Sequence, residues 1–322
     1  MPAGALRKVT PAREHSTAWV RIDRATPRPE GIAASRHVRR TDRYRKQPLV
    51  RETIAGVARD LDVPAPLLAD ALDYLTPQTE PLVAAQVAAL EVAIGTTRTV
   101  AWPNDDERFQ LLTLLGTVPA ARAWLAAHGV DDDIAQASLA DLTPKLRDYG
   151  VAETGIDWLA KIVTCGVFSL GRLQFEPGEV VPGTTTPAWN VHIPESGPLD
   201  PAACDASFAA AAPFFAATFG DITTRDFVCH SWLLDDQLAE YLPAASNILA
   251  FQRRFELVDT ESTDAPVDGA TEGDRAVAKF VFRAPLAELP ALTPTTRLER
   301  AALEHLATGR HWRERAGVLR RP

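Results

Sequence analysis

The feature that most constrains this chain is a change of period at Gly166. From Thr53 to Cys165 apolar residues recur at helical spacing, as in Ile54, Val57, Ala58 and Leu61, and again in Leu67, Leu68, Ala71, Leu72 and Leu75. Pro64 and Pro66 punctuate those two runs, and a further helix is expected from Pro119 to His128, ended by Gly129. Asp131, Asp132 and Asp133 suit the N-terminus of the next helix, and Thr154 to Thr164 reads as the last. Beyond Gly166 alternation takes over, so an all-helical segment is followed by a mixed one.

Within the second segment, Val167 to Glu176 is expected as one strand, with Phe168, Leu170, Arg172, Gln174 and Glu176 on one face. Trp189 to Glu195 is a second strand, and Pro201 to Phe219 a helix whose buried stripe carries Cys204, Phe208, Ala211, Ala212, Phe215 and Phe219. Asp226 to Leu234 is a third strand. Pro243 then divides two short helices, with Ser246 as the second cap. Phe255 to Asp259 and Ala276 to Arg283 read as strands joined by a mobile acidic loop, and Thr296 with Glu299 forms a capping box for the final helix. The order predicts an α+β (α/β) fold of two parts, residues 51-165 and 166-322.

Residues 1-50 hold twelve Lys/Arg against four Asp/Glu while the whole chain carries −8, so a basic, disordered extension precedes an acidic body that repels nucleic acid. No signal peptide or membrane span is expected, and the location is read as cytoplasmic. Cys165, Cys204 and Cys229, widely spaced in apolar surroundings, fit reduced buried thiols.

Chemistry concentrates around Trp189 to Cys204. Gly197 lets backbone approach a ligand, and free N–H groups opening the helix form an anion site; equally, Gly197 and Pro198 make only a turn and Asp200 caps the helix. His192 and His230 lie in apolar strands and Glu195 ends the first, giving acid-base candidates if the strands are neighbours. Each histidine also fits a satisfied core role. Two His and one carboxylate would also suit a metal, but no HxH or HExxH spacing is present and no metal is expected. Asn247 on a first helical turn offers an amide to a ligand or simply caps, and Arg172 and Gln174 suit an anion or an exposed edge. Walker, GxGxxG, GxSxG and kinase signatures are absent.

The strings GRLQFE, HIPESGPLD, CHSWLL and SNILAFQRRFELV carry a resemblance: residues 167 to 315 resemble the GNAT acyltransferase superfamily, and the chain from about residue 50 resembles bacterial acyltransferase-domain proteins with a helical N-terminal part. The resemblance implies acyl-CoA or acetyl-CoA as co-substrate. Its pyrophosphate would lie over Ser196, Gly197 and Leu199 before the helix from Pro201, with backbone near Ile193 polarising the thioester. Phe227 to Leu233 would be the splayed strand that admits the pantetheine arm, and Asn247 with Ala250 would lead to a closing hairpin. His230, Glu195 or His192 would take the proton of an unidentified amine acceptor, with Arg172, Gln174 and Ser231 near it. The loop departs from the family pattern Gln/Arg-x-x-Gly-x-Gly/Ala, and Arg253 and Arg254 stand where many members carry a tyrosine acid. A non-catalytic ligand-sensing or partner-binding module and a metal-dependent hydrolase using His192, His230 and Glu195 are the alternative readings. Oligomeric state is not legible.

Overall fold

A computed structural model describes residues 51–220, 224, 226–258 and 265–320. The basic extension of residues 1-50 and part of the acidic loop, residues 259–264, lie outside the described residues.

Seven helices come first: α1 (Arg51–Asp60), α2 (Ala65–Tyr74), α3 (Glu80–Ala93), α4 (Glu107–Ala127), α5 (Asp132–Ala140), α6 (Leu142–Thr154) and α7 (Ile156–Val163). Helix α4 is the hub, burying Phe109, Leu112, Leu115, Val118 and Ala121 among others. The expectation of a helix starting at Pro119 is corrected, because Pro119 lies inside α4. Its missing N–H and fixed φ are tolerated in a helix whose neighbours are held by packing on several sides. Asp106 is the true cap, accepting from the Arg108 amide at 2.9 Å.

The second part is a six-stranded mixed sheet in the order β1-β2-β3-β4-β6-β5. Its strands are β1 (Phe168–Leu170), β2 (Leu173–Val180), β3 (Pro187–His192), β4 (Phe227–Ser231), β5 (Glu256–Val258) and β6 (Arg315–Leu319). The expected single strand from Val167 to Glu176 is a hairpin, with a turn at Gly171 and Arg172. The turn re-sorts the faces: Leu173 and Phe175 pair with Leu170 and Phe168, whereas Gln174 and Glu176 face the other way with His192 and Asn190.

Helix α8 (Pro201–Phe219) covers the apolar face. Asp200 caps it through the Ala203 amide at 2.9 Å, and Phe215 stacks on Trp189 at 4.0 Å. By length and composition α8 is apolar enough to cross a membrane, yet Cys204, Phe208, Ala211 and Phe215 are buried against the sheet. One apolar cluster runs from Ile54 through the helices and sheet to Phe255.

After β4 the chain makes two 3₁₀ turns and then α9 (Asn247–Gln252), with Ser246 capping through the Leu249 amide at 3.2 Å. The expected strand Ala276–Arg283 is instead α10 (Glu272–Val277) followed by a π-helical turn, Ala278–Phe282. A capping box of Thr271 and Asp274 starts that helix, and Val277 and Ala278 bury on successive helical positions, overriding the alternation of the string. Consequently no closing hairpin of those two segments occurs among the described residues; β5 pairs with β6, a strand the sequence reading missed. Helix α11 (Arg297–Ala307) carries the expected capping box of Thr296 and Glu299.

Candidate active site

Strands β3 and β4 are parallel for only two pairs, Trp189 with Phe227 and Asn190 with Val228. Beyond them the strands part, so the β4-facing main chain from Val191 to Ile193 has no strand partner among the described residues. The gap opens into a cavity of about 590 Å³. Its floor is sheet, and its walls come from α6, α7 and the α10 region. Trp158, Ile193, Trp232, Phe280, Val281 and Leu298 make it mostly apolar.

His230 lines this cavity, and its imidazole makes no hydrogen bond among the described residues. Its ring is reachable from the cavity yet crowded by protein over a wider shell, and this poor hydration pulls its pKa below the ordinary imidazole value. Glu179 opposes that shift and His192 adds to it. The imidazole is therefore neutral, and able to accept a proton, at neutral pH.

His192 shares the face but is not free. Its Nε2 lies 3.0 Å from Glu176 Oε2, Lys161 Nζ lies 2.6 Å from the other carboxylate oxygen, and Trp158 meets the ring edge-on at 4.6 Å. Burial pushes the Glu176 carboxyl up, but His192 and Lys161 outweigh it and hold the pKa below the usual value. Gln174, 3 % exposed, donates to Ser169 Oγ at 3.1 Å.

Glu195 is tied on both oxygens: Tyr149 donates its hydroxyl at 2.5 Å and Arg283 its guanidinium at 2.9 Å. Arg283 also lies 3.4 Å from Asp148, so loop, α6 and the end of the π-helical turn meet in one ion network. Burial, then the bond to Glu195, pushes the Tyr149 phenol up to about 12, so it stays protonated. Lys279 donates to the Glu153 carbonyl at 2.5 Å, and burial pulls its ammonium pKa down.

Arg172, Ile193, Gly197, Leu199 and Ser231 also line the cavity; Ser196 and Asn247 do not. Ser231 Oγ accepts from the Leu233 amide at 3.1 Å, capping the first 3₁₀ turn. Arg172 takes main-chain carbonyls. Asp200 sits on the α8 terminus, accepting from the Ala203 amide at 2.9 Å. Glu195, with both oxygens engaged, does not join His192 and His230 as a metal ligand set, and no group of three metal-ligating side chains occurs among the described residues.

Tyr149, Trp158, Lys279, Arg283 and Glu314 were not anticipated. Glu314 enters the cavity just ahead of β6, with no hydrogen-bond partner among the described residues. Burial, then Glu272, raises its pKa. The only sequence signal for it was a carboxylate between Trp312 and a buried strand; the others sit on helices where nothing local marks them.

Comparison with known proteins bears on this geometry. Residues 52–160 match the N-acyltransferase N-terminal domain and residues 167–319 the GNAT-like C-terminal domain. The chain is similar, at 31% identity and TM-score 0.70, to a crystal structure of an acyltransferase in complex with decanoyl-CoA and teicoplanin, over 84% of this chain and 88% of that one. It is also similar, at 31% identity and TM-score 0.70, to an acyltransferase in complex with CoA and 10C-teicoplanin, over 85% and 89% of the two chains. A third structure, in complex with decanoyl-CoA, gives 31% identity and TM-score 0.71 over 84% and 88%. No curated protein matches the chain.

Proposed function

The chain belongs to the N-acyltransferases with a GNAT-like C-terminal domain, and from that membership we propose that it moves an acyl group from acyl-CoA to a primary amine. The carrying observation is the parting of β3 and β4 directly over a cavity that holds an unpartnered, neutral histidine.

The pantetheine arm lies in the gap, against the unpaired edge of β3. A backbone N–H near Ile193 polarises the thioester carbonyl, and the amine nitrogen adds to that carbon. His230 takes the proton released from nitrogen. Collapse of the tetrahedral adduct breaks the C–S bond, forms the amide and expels the CoA thiolate, which takes up a proton. Glu195, already ion-paired, holds the loop rather than acting as base. Glu314 offers a carboxylate that attracts the ammonium form of the acceptor. The apolar wall of Trp158, Phe280, Val281 and Leu298 favours medium acyl chains, in keeping with the decanoyl-CoA held by the similar solved acyltransferases. An amine carried on a bulky molecule fits the teicoplanin complexes of those proteins. Three buried, free thiols fit a reducing cytoplasm.

One feature favours a non-catalytic ligand-sensing module instead: the Asp200 carboxylate caps α8 where a pyrophosphate would approach. Turnover separates the two. With octanoyl-CoA and an amine panel that includes a de-acylated glycopeptide, thiol release is expected, and His230→Gln should lower kcat by about 10²–10⁴-fold. Binding of octanoyl-CoA without turnover of any amine would support the sensing module, and full activity in His230→Gln would contradict the mechanism.

A further inference from the structure

Arg172 projects from the β1–β2 turn and reaches across to the loop after β3. Its Nε donates to the Pro198 carbonyl at 2.8 Å, one terminal nitrogen to Pro194 at 3.0 Å and the other to Gly197 at 2.6 Å. Its own backbone amide is fixed too, donating to Ser207 Oγ on α8 at 2.9 Å, and Ser207 is buried. The residue therefore ties the hairpin, the loop and the helix together.

A guanidinium only donates, so all three carbonyls turn toward it. In a trans peptide the N–H points opposite to its carbonyl. The units that begin with the Pro194 and Pro198 carbonyls carry the N–H groups of Glu195 and Leu199, which consequently point away from Arg172. Neither amide makes a hydrogen bond among the described residues, although Leu199 is 5% exposed and lines the cavity. At Gly197, between them, φ is +123, a conformation that side chains rarely adopt. The loop is therefore shaped by one side chain into a form with two unspent donors.

Resting on the acyl-CoA reading above, we propose that Arg172 is a positioning residue of the donor site: by gathering three carbonyls it leaves the Glu195 and Leu199 amides to receive the pyrophosphate oxygens of CoA. Its role is to shape the loop, not to pair with the phosphate.

The test compares octanoyl-CoA with octanoyl-pantetheine, which has the same thioester and no nucleotide pyrophosphate. In Arg172→Ala, KM for octanoyl-CoA is expected to rise at least about tenfold, with kcat and the KM for octanoyl-pantetheine nearly unchanged. Arg172→Lys keeps the charge but cannot fork to three carbonyls, and should behave like Arg172→Ala. A wild-type KM in Arg172→Lys would overturn the proposal in favour of simple charge pairing. Equal weakening of both donors in folded variants would overturn it in favour of general packing. Hydrogen exchange on the unaltered protein is an independent check: octanoyl-CoA should protect the Glu195 and Leu199 amides, and unprotected amides in the bound protein would refute it. Failure of the unaltered protein to bind octanoyl-CoA would reject the donor reading itself.

Discussion

Gly273 sits in the first turn of α10, pressed against the chain that leads to Glu314. A Cβ added there would lie 2.4 Å from both the Trp312 carbonyl carbon and oxygen and 2.6 Å from the Arg313 nitrogen, where ordinary contact starts at 3.4 Å. Since the obstructing atoms are backbone, α10 would have to retreat by about 1 Å. That retreat strains the bonds that clamp the two segments: Thr271 Oγ1 to the Trp312 carbonyl at 2.5 Å, the Trp312 amide to Asp274 at 2.8 Å, and His311 with Asp274 at 2.6 Å. Overpacking costs about 1–3 kcal/mol and a weakened bond to a buried carboxylate about 1.5–3 kcal/mol, so Gly273→Ala should destabilise by about 3–5 kcal/mol. Helix propensity alone would give the opposite sign, a gain of up to about 1 kcal/mol. Urea unfolding followed by tryptophan fluorescence reads the difference. Gly309→Ala is the control, because its Cβ meets nothing within 4 Å and only its φ of +78 is unfavourable, a cost of about 1–2 kcal/mol. An unfolding midpoint for Gly273→Ala at or above the unaltered value would refute the packing argument.

Further outcomes follow from the site. Because burial holds the His230 pKa below the ordinary imidazole value, kcat/KM should show a rising limb below that value that disappears in His230→Gln; the same limb persisting in His230→Gln would show that another group is the base. Glu314 has a folded pKa raised by burial. Its folded carboxyl is favoured below the unfolded pKa, and that advantage is lost as pH rises through the folded pKa. Glu314→Gln should therefore raise the melting temperature more at pH 8 than at pH 4; the reverse order would contradict the placement. Glu195→Gln should lower kcat less than tenfold, or about 1.4 kcal/mol in barrier, if Glu195 is a strap rather than a base. A loss as large as that of His230→Gln would return Glu195 to the chemistry.

Where local chemistry decides structure, the sequence was enough to read it. Helix α8 begins and ends as expected because Asp200 caps it and Gly220 follows it, and Ser246 and Thr296 mark α9 and α11 in the same way. Reading failed where packing outweighed pattern. The string Ala276–Arg283 alternates like a strand, but the Thr271 and Asp274 box starts a helix upstream, a signal present in the sequence and passed over. Strand β6 shows no alternation, because its central Ala316, Gly317 and Val318 are buried on both faces. In the site, strand period marked His192 and His230 as candidates for one face only if their strands were neighbours, and the strand pairing that supplies this, with Gln174 opposite His192, is set by the fold. Arg172 could not, since its role depends on carbonyls more than twenty residues away. Tyr149 and Arg283 came together only through folding, from positions that share no motif.

Donor placement is tested most directly by a crystal structure of the protein soaked with octanoyl-CoA. The thioester should lie between β3 and β4 within reach of His230, with the pyrophosphate on the Glu195 and Leu199 amides. A nucleotide bound anywhere else, leaving the gap between the strands unfilled, would contradict it.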